Sequence, residues 1–308
     1  MPDVIKCRGL TKRYGSTVAV DRLDLTVAAG QVFGFLGRNG AGKTTTMRML
    51  LGLIQPTAGQ AWLNGRRIPD PGGLASIGAM IEEPASYPWL TGRRNLEVLA
   101  LSGPPLAGGR DQITAVLDRV GLSAVAGHKV KTYSQGVRQR LGLAGALLRD
   151  PTVLLLDEPS NGMDPAGIKE FRTLLRTVAA EGATVFLSSH LLAEVEQVCD
   201  EIAVLDGGRL VEQGRVADLT TTRTRVRVIL SSADQPAARL LLGRWPLQVV
   251  GTDGLLVETA SGREVNEALG RGGVWADQVL LERPGLEEMF LQLTETRTEE
   301  ARHAAAAR

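Results

Sequence analysis

The stretch from Gly37 to Thr45, GRNGAGKTT, constrains this chain more than any other. It follows the apolar run Val32-Phe33-Gly34-Phe35-Leu36 and precedes Met47, Met49, Leu50 and Leu51, which recur at helical spacing. Strand, glycine-rich turn and helix in that order are the context in which G-x-x-x-x-G-K-[ST] predicts a phosphate-binding loop. Gly37, Gly40 and Gly42 let the backbone fold tightly, so N–H groups along Arg38, Asn39 and Ala41 converge on phosphate oxygens. The helix opening near Lys43 adds the positive end of its dipole. Lys43 supplies a mobile ammonium for the β- and γ-phosphates, and the hydroxyl of Thr44, followed by Thr45, is placed to ligate Mg²⁺. A nucleoside triphosphate is the expected ligand.

A length of 308 residues predicts two domains, and 44% hydrophobic with 22% charged residues is enough to bury a sizeable core. The net charge of +1 argues against an electrostatic nucleic-acid surface. Two distant cysteines, Cys7 and Cys199, have neither metal nor redox spacing and read as unpaired thiols in a reducing compartment. No run reaches the roughly 18 apolar residues that a membrane helix needs. A soluble chain is expected, with any membrane role arising through a partner.

Residues Val4 to Val27 alternate apolar and polar around Lys12-Arg13-Tyr14-Gly15-Ser16, predicting a small antiparallel sheet. Tyr14 is either a surface turn tyrosine or an aromatic plate for a purine base. Strands are expected at Gly59–Leu63 and Ile77–Ile81. A helical block follows, about residues 83–150, with helices Asn95–Leu101, Asp111–Val120 and Ser134–Leu148 between Gly- and Pro-rich breaks.

Val153-Leu154-Leu155-Leu156 reads as a central parallel strand buried on both faces, ending in Asp157-Glu158-Pro159. Ligands bind beyond the carboxyl ends of such strands, so Asp157 is a candidate for Mg²⁺ and Glu158 for the attacking water's proton. A wet turn would also favour carboxylates there; the phosphate loop decides between the readings. Helix Pro165–Ala180, strand Thr184–Ser188 and then His190 come next. His190 either reaches the same crevice or is a hydrogen-bonded structural histidine.

Beyond a linker at 220–225 the pattern restarts over 226–294 as β-α-β-β-α-β, the ferredoxin-like order, with strand Val226–Leu230, helix Pro236–Leu242 and a hairpin about Asp253-Gly254. Helix Arg263–Leu269, strand Val274–Leu281 and a final helix Leu286–Leu293 complete it, and 295–308 reads as frayed helix or disorder. The first domain would span 1–219.

The phosphate loop, LLLDEP and SSH together resemble the ATP-binding cassette (ABC) ATPases, and Tyr133-Ser134-Gln135-Gly136-Val137 running into Arg138-Gln139-Arg140-Leu141 resembles the ABC signature. Ser134 and Gly136 open a helix, so hydroxyl, N–H groups and dipole make a second anion site. The resemblance implies a P-loop NTPase cassette of mixed sheet, antiparallel subdomain and helical subdomain. It also implies two copies closing on two ATP molecules, each signature capping the other's γ-phosphate. Carried over, Tyr14 matches the adenine-stacking aromatic and Lys43, Thr44 and Thr45 the phosphate and Mg²⁺ ligands. Asp157 matches the metal-side acid, Glu158 the catalytic base, Asp164 in SNGMDP the D-loop aspartate and His190 the switch histidine.

Three positions depart from the pattern. Glu82 stands for the Q-loop glutamine, Gln135 for a signature glycine and Val137 for the signature glutamine. Glu82 either strengthens metal binding or repels Asp157 and Glu158. IEEP, YSQGV and SSHLLAEVEQ resemble ABC-2-type exporter ATPases of the bacitracin- and lantibiotic-resistance kind, which implies a separate permease, a drug, peptide or lipid-like cargo, and a place on the inner face of the plasma membrane. The apolar Tyr87-Pro88-Trp89-Leu90 reads as either a permease surface or subdomain packing. Among rivals, a chromosome-maintenance ATPase needs a long coiled coil and a translation factor two cassettes; neither pattern is present. An importer ATPase shares every catalytic motif.

Overall fold

The computed structural model describes residues 2–82, 84–221, 225–259, 261–282 and 285–290. By their contacts the residues form two compact units, Met1–Gly214 and Arg215–Arg308.

In the first unit a six-stranded sheet has the spatial order Arg209–Arg215, Glu201–Asp206, Val32–Gly37, Thr184–Ser189, Val153–Asp157, Ile77–Met80. The last five run parallel. Every residue of Val32–Gly37, Val153–Asp157 and Thr184–Ser189 is buried, as suits mainly apolar sequences in strands covered on both faces, with polar Asp157, Ser188 and Ser189 at the carboxyl ends. The rings of Phe33 and Phe186 stack across neighbouring strands with centroids 5.5 Å apart.

A four-stranded antiparallel sheet has the order Thr17–Ala28, Asp3–Tyr14, Ala58–Leu63, Arg66–Arg67. Its alternating inward residues Ile5, Cys7, Leu23, Leu25 and Val27 join Phe33, Phe35 and Leu155 in one core. Helix Lys43–Leu50 lies in that core through Met47, Met49 and Leu50, which fixes the phosphate loop ahead of it.

The helical block holds Gly92–Leu101, Gly109–Arg119 and Gln135–Leu147. Thr91 and Ser134 begin two of these helices with side-chain oxygens accepting from Arg94 N and Val137 N. Helix Pro165–Ala180 starts in the same way, Asp164 accepting from Gly167 N at 2.8 Å with Pro165 in the first turn.

In the second unit helix Val216–Thr221 precedes the strand Arg225–Ile229; residues 222–224 of the expected linker lie outside the described residues. Helix Gln235–Leu241, hairpin Leu247–Val250 with Gly254–Val257, helix Gly262–Arg271 and strand Gln278–Glu282 follow. The hairpin's second strand and the last strand both flank Arg225–Ile229 antiparallel, which is the ferredoxin-like arrangement. Its core is Val226, Val228, Leu255, Val257, Val265 and Leu269.

One expectation needs correction. The strand read from Val274 begins only at Gln278, because Val274 folds into the core from a turn after Gly272-Gly273 while Trp275 is 76% exposed. Residues 286–290 are helical; the rest of the final helix, 291–293, and the tail 295–308 lie outside the described residues. Among the described residues no helix is long and apolar enough to cross a membrane.

Candidate active site

The loop Gly37–Gly42 leaves the carboxyl end of one parallel strand and turns into the helix beginning at Lys43. Gly42 caps that helix at φ 103°, and a Cβ there would lie 2.5 Å from the Ala19 carbonyl oxygen, so only glycine fits. Gly40, at φ 83°, has no atom within 4 Å of a Cβ position, which leaves that side of the loop open to a ligand. The loop is also sewn to its surroundings: Gly208 N donates to Ala41 O at 3.1 Å, and Asp21 N to Gly208 O at 2.8 Å. Thr46 Oγ1 donates back to Gly42 O at 2.9 Å. Arg38 and Asn39 are exposed, Ala41 is buried, and Thr45 is half-buried on the first helical turn.

Lys43 is buried at 6% exposure, its ammonium donating to Gly37 O at 2.7 Å and pairing with Glu158 Oε1 at 3.1 Å. Glu158's other oxygen, Oε2, meets His190 Nδ1 at 2.7 Å. The carboxylate is therefore gripped on both sides, and a phosphate arriving at Lys43 competes for the ammonium and frees one side. Glu158 sits at φ 47°, a left-handed conformation uncommon for a residue with a side chain and recurrent at functional sites.

Thr44 Oγ1 donates to Asp157 Oδ2 at 2.7 Å. Asp157 is buried at the end of its strand, and its other oxygen accepts from Ser188 Oγ at 2.5 Å. Ser188 Oγ in turn accepts from Glu158 N at 2.9 Å, so one hydroxyl aligns both acidic residues. Hydroxyl and carboxylate oxygens meeting at one point suit a hard divalent cation that keeps waters and phosphates as its remaining ligands. Among the described residues no cluster of three or more His, Cys, Asp or Glu could hold a metal on protein side chains alone.

The remaining predicted residues lie at other places. Tyr14 ends its strand 48% exposed, with Lys12 Nζ 5.1 Å from its ring centre and that ammonium also donating to Gln55 O at 2.6 Å. Glu82, at φ 62°, forms an ion pair with Arg48. Ser134 is exposed at the start of its helix, and Gly136 is nearest Met163, 3.6 Å from a Cβ position. Asp164 caps the next helix beside it.

Sequence reasoning missed Ser188 and the Lys43–Glu158 pair. Ser188 carried a signal, a polar residue closing the apolar strand TVFLSS, but its role depends on the parallel register that sets it opposite Asp157.

Phosphate loop, buried Asp157, Glu158 and His190 at the ends of adjacent parallel strands define a P-loop nucleotide hydrolase. The family model described as "ABC transporter" matches residues 20–161. The chain is 39% identical to the bacitracin transport ATP-binding protein BcrA of Bacillus licheniformis, over 95% of this chain and 98% of that one. It is 38% identical to the daunorubicin resistance ATP-binding protein DrrA3 of Streptomyces coeruleorubidus, over 93% and 94% respectively. A solved ATP-binding subunit of an ABC transporter superposes with TM-score 0.64 at 27% identity, covering 70% of this chain and 91% of that one. The chain belongs to the ABC transporter ATP-binding proteins, and is an ATP-binding, ATP-hydrolysing subunit.

Proposed function

We propose that two copies of this chain close on two ATP molecules and drive export of a drug, peptide antibiotic or lipid-like cargo through a separate permease, at the inner face of the plasma membrane. The observation that carries the dimeric reading is the separation of two anion sites within one chain. Lys43, Thr44, Asp157, Glu158 and His190 converge, whereas Ser134 is exposed and caps its own helix, and half-buried Gly136 has Met163 as the nearest neighbour of a Cβ position. A signature helix so placed serves the nucleotide of a second copy, with Asp164 in the adjoining turn, and Tyr14 stacks on the adenine of its own.

Within one site, Lys43 neutralises the β- and γ-phosphates, and Thr44 and Asp157 hold Mg²⁺, which draws charge from the phosphate oxygens when bound. Glu158 accepts the proton of the attacking water, and His190 keeps the carboxylate turned toward the γ-phosphate. Export is favoured by the full-length similarity to BcrA and DrrA3. The permease's place is supported by a groove of about 780 Å³ between the Ile77–Met80 strand and the helical block, lined by Ile81, Tyr87, Val98, Leu99 and Leu141. Exposed Trp89 stands against Tyr87 with ring centroids 5.5 Å apart.

Co-purification with a candidate permease, followed by uptake of candidate peptides and drugs into inside-out vesicles, tests the proposal. ATP-dependent accumulation in the vesicles is expected, and accumulation only in right-side-out vesicles would make the complex an importer. In the Glu158→Gln background ATP should convert monomer to dimer, and Ser134→Glu should prevent it.

A further inference from the structure

We propose that Arg48 is a positioning residue that holds Glu82 off the metal side of the nucleotide site, so that this carboxylate behaves as the neutral side chain usual at its position. The proposal rests on the reading of Thr44 and Asp157 as metal ligands.

Thr44 and Arg48 are four residues apart in helix Lys43–Leu50 and share one face, a turn from each other. That face crosses the carboxyl ends of two neighbouring strands and makes a polar clasp with each. Thr44 reaches Asp157, which ends Val153–Asp157. Arg48 reaches Glu82, two residues beyond the end of Ile77–Met80. The two strands are parallel, with Met80 opposite Leu156, so Ile81 comes level with Asp157. Strands in a sheet are about 4.8 Å apart, so the chain leaves it at Ile81 beside Asp157, and Glu82 follows one residue on. Glu82 is held at φ 62°, which a glutamate adopts only against steric resistance, and the resulting turn sends its side chain back to the helix.

The electrostatics give Arg48 its purpose. Asp157, Glu158 and a triphosphate already place several negative charges here, and a free Glu82 would add one more. The guanidinium cancels that charge and competes with a divalent cation for the same oxygen. Both partners are partly in water, Arg48 37% and Glu82 60% exposed, so the pair is weak and able to exchange.

The test is binding of a fluorescent, non-hydrolysable ATP analogue to the full chain, titrated with MgCl₂ at low ionic strength. Arg48→Gln should lower the Mg²⁺ half-saturation about two- to five-fold, the range an exposed ion pair supports. The shift should shrink in high salt and be largely restored by Arg48→Lys. In the Glu82→Gln background the same Arg48→Gln change should move nothing. A shift of equal size in both backgrounds would show Arg48 acting on the helix or the phosphates without Glu82, and overturn the proposal; so would no shift in either. Analogue binding without any Mg²⁺ dependence would overturn the metal reading beneath it, and no analogue binding at all would overturn both.

Discussion

Ser188→Ala tests the acidic centre of the site most directly. The hydroxyl is fully buried, donates to Asp157 Oδ1 at 2.5 Å and accepts from Glu158 N at 2.9 Å. Its removal deletes a charge-assisted bond worth about 1.5–3 kcal/mol and a neutral one worth about 0.5–1.5 kcal/mol, and leaves the partly buried Glu158 N without that partner. A loss of roughly 2–4 kcal/mol is expected, a fall in Tm on the order of 10 °C. Urea denaturation followed by circular dichroism measures it. Ser189→Ala is the internal control, because Ser189 Oγ accepts from Leu191 N and the loss of that bond should cost about 1 kcal/mol. On the proposed roles of Asp157 and Glu158 the hydroxyl also aligns metal ligand and base, so ATP turnover should fall by up to about 10²-fold while nucleotide still binds. Equal stability losses in the two alanine variants, or full turnover in Ser188→Ala, would refute the alignment argument.

Glu158→Gln should keep ATP binding while lowering hydrolysis by roughly 10²- to 10⁴-fold, read from phosphate release and equilibrium nucleotide binding. Glu82→Gln should leave ATP affinity near that of the parent, but because it also releases Arg48 from its ion pair it should change the permease-stimulated rate; identical stimulated rates would remove Glu82 from the coupling. Gly42→Ala should abolish nucleotide binding and destabilise the cassette, because a Cβ would lie 2.5 Å from the Ala19 carbonyl oxygen; calorimetry reads both. Burial pushes the Cys7 thiol up to about 12, with Asp24 adding to it, and burial raises Cys199 likewise. Neither should react with a disulfide reagent until denaturant is added. Because the fold holds both protons more tightly than the open chain does, the two thiols' contribution to stability is constant below their ordinary value of 9.0 and is lost as pH rises beyond it.

The parts of the site legible in the sequence are the contiguous ones. Gly37 to Thr45 announces itself because backbone geometry and phosphate chemistry both act over nine neighbouring residues. The run ending in Asp157-Glu158 is equally plain, since a strand buried on both faces must be apolar throughout. The restart after Arg225 could be followed because each short element carries its own period and turn, except at Val274, where alternation without pairing looked like a strand. Ser188 and Arg48 stayed hidden for another reason. Each draws its meaning from a partner about 30 residues or more away, reached only when parallel strands fall into register. Glu82 stood out as a departure, but nothing local to it told of the arginine it would meet.

The antiparallel hairpin that ends in Tyr14 also supplies the Ala19 carbonyl against which Gly42 is seated, and Asp21 and Gly208 fasten the same hairpin to Ala41. On the proposed stacking role of Tyr14, the adenine contact and the phosphate cradle are thus two marks on one rigid gauge. Only a molecule of the right span touches both, so a truncated or lengthened ligand forfeits one contact outright and cannot trade a little of each.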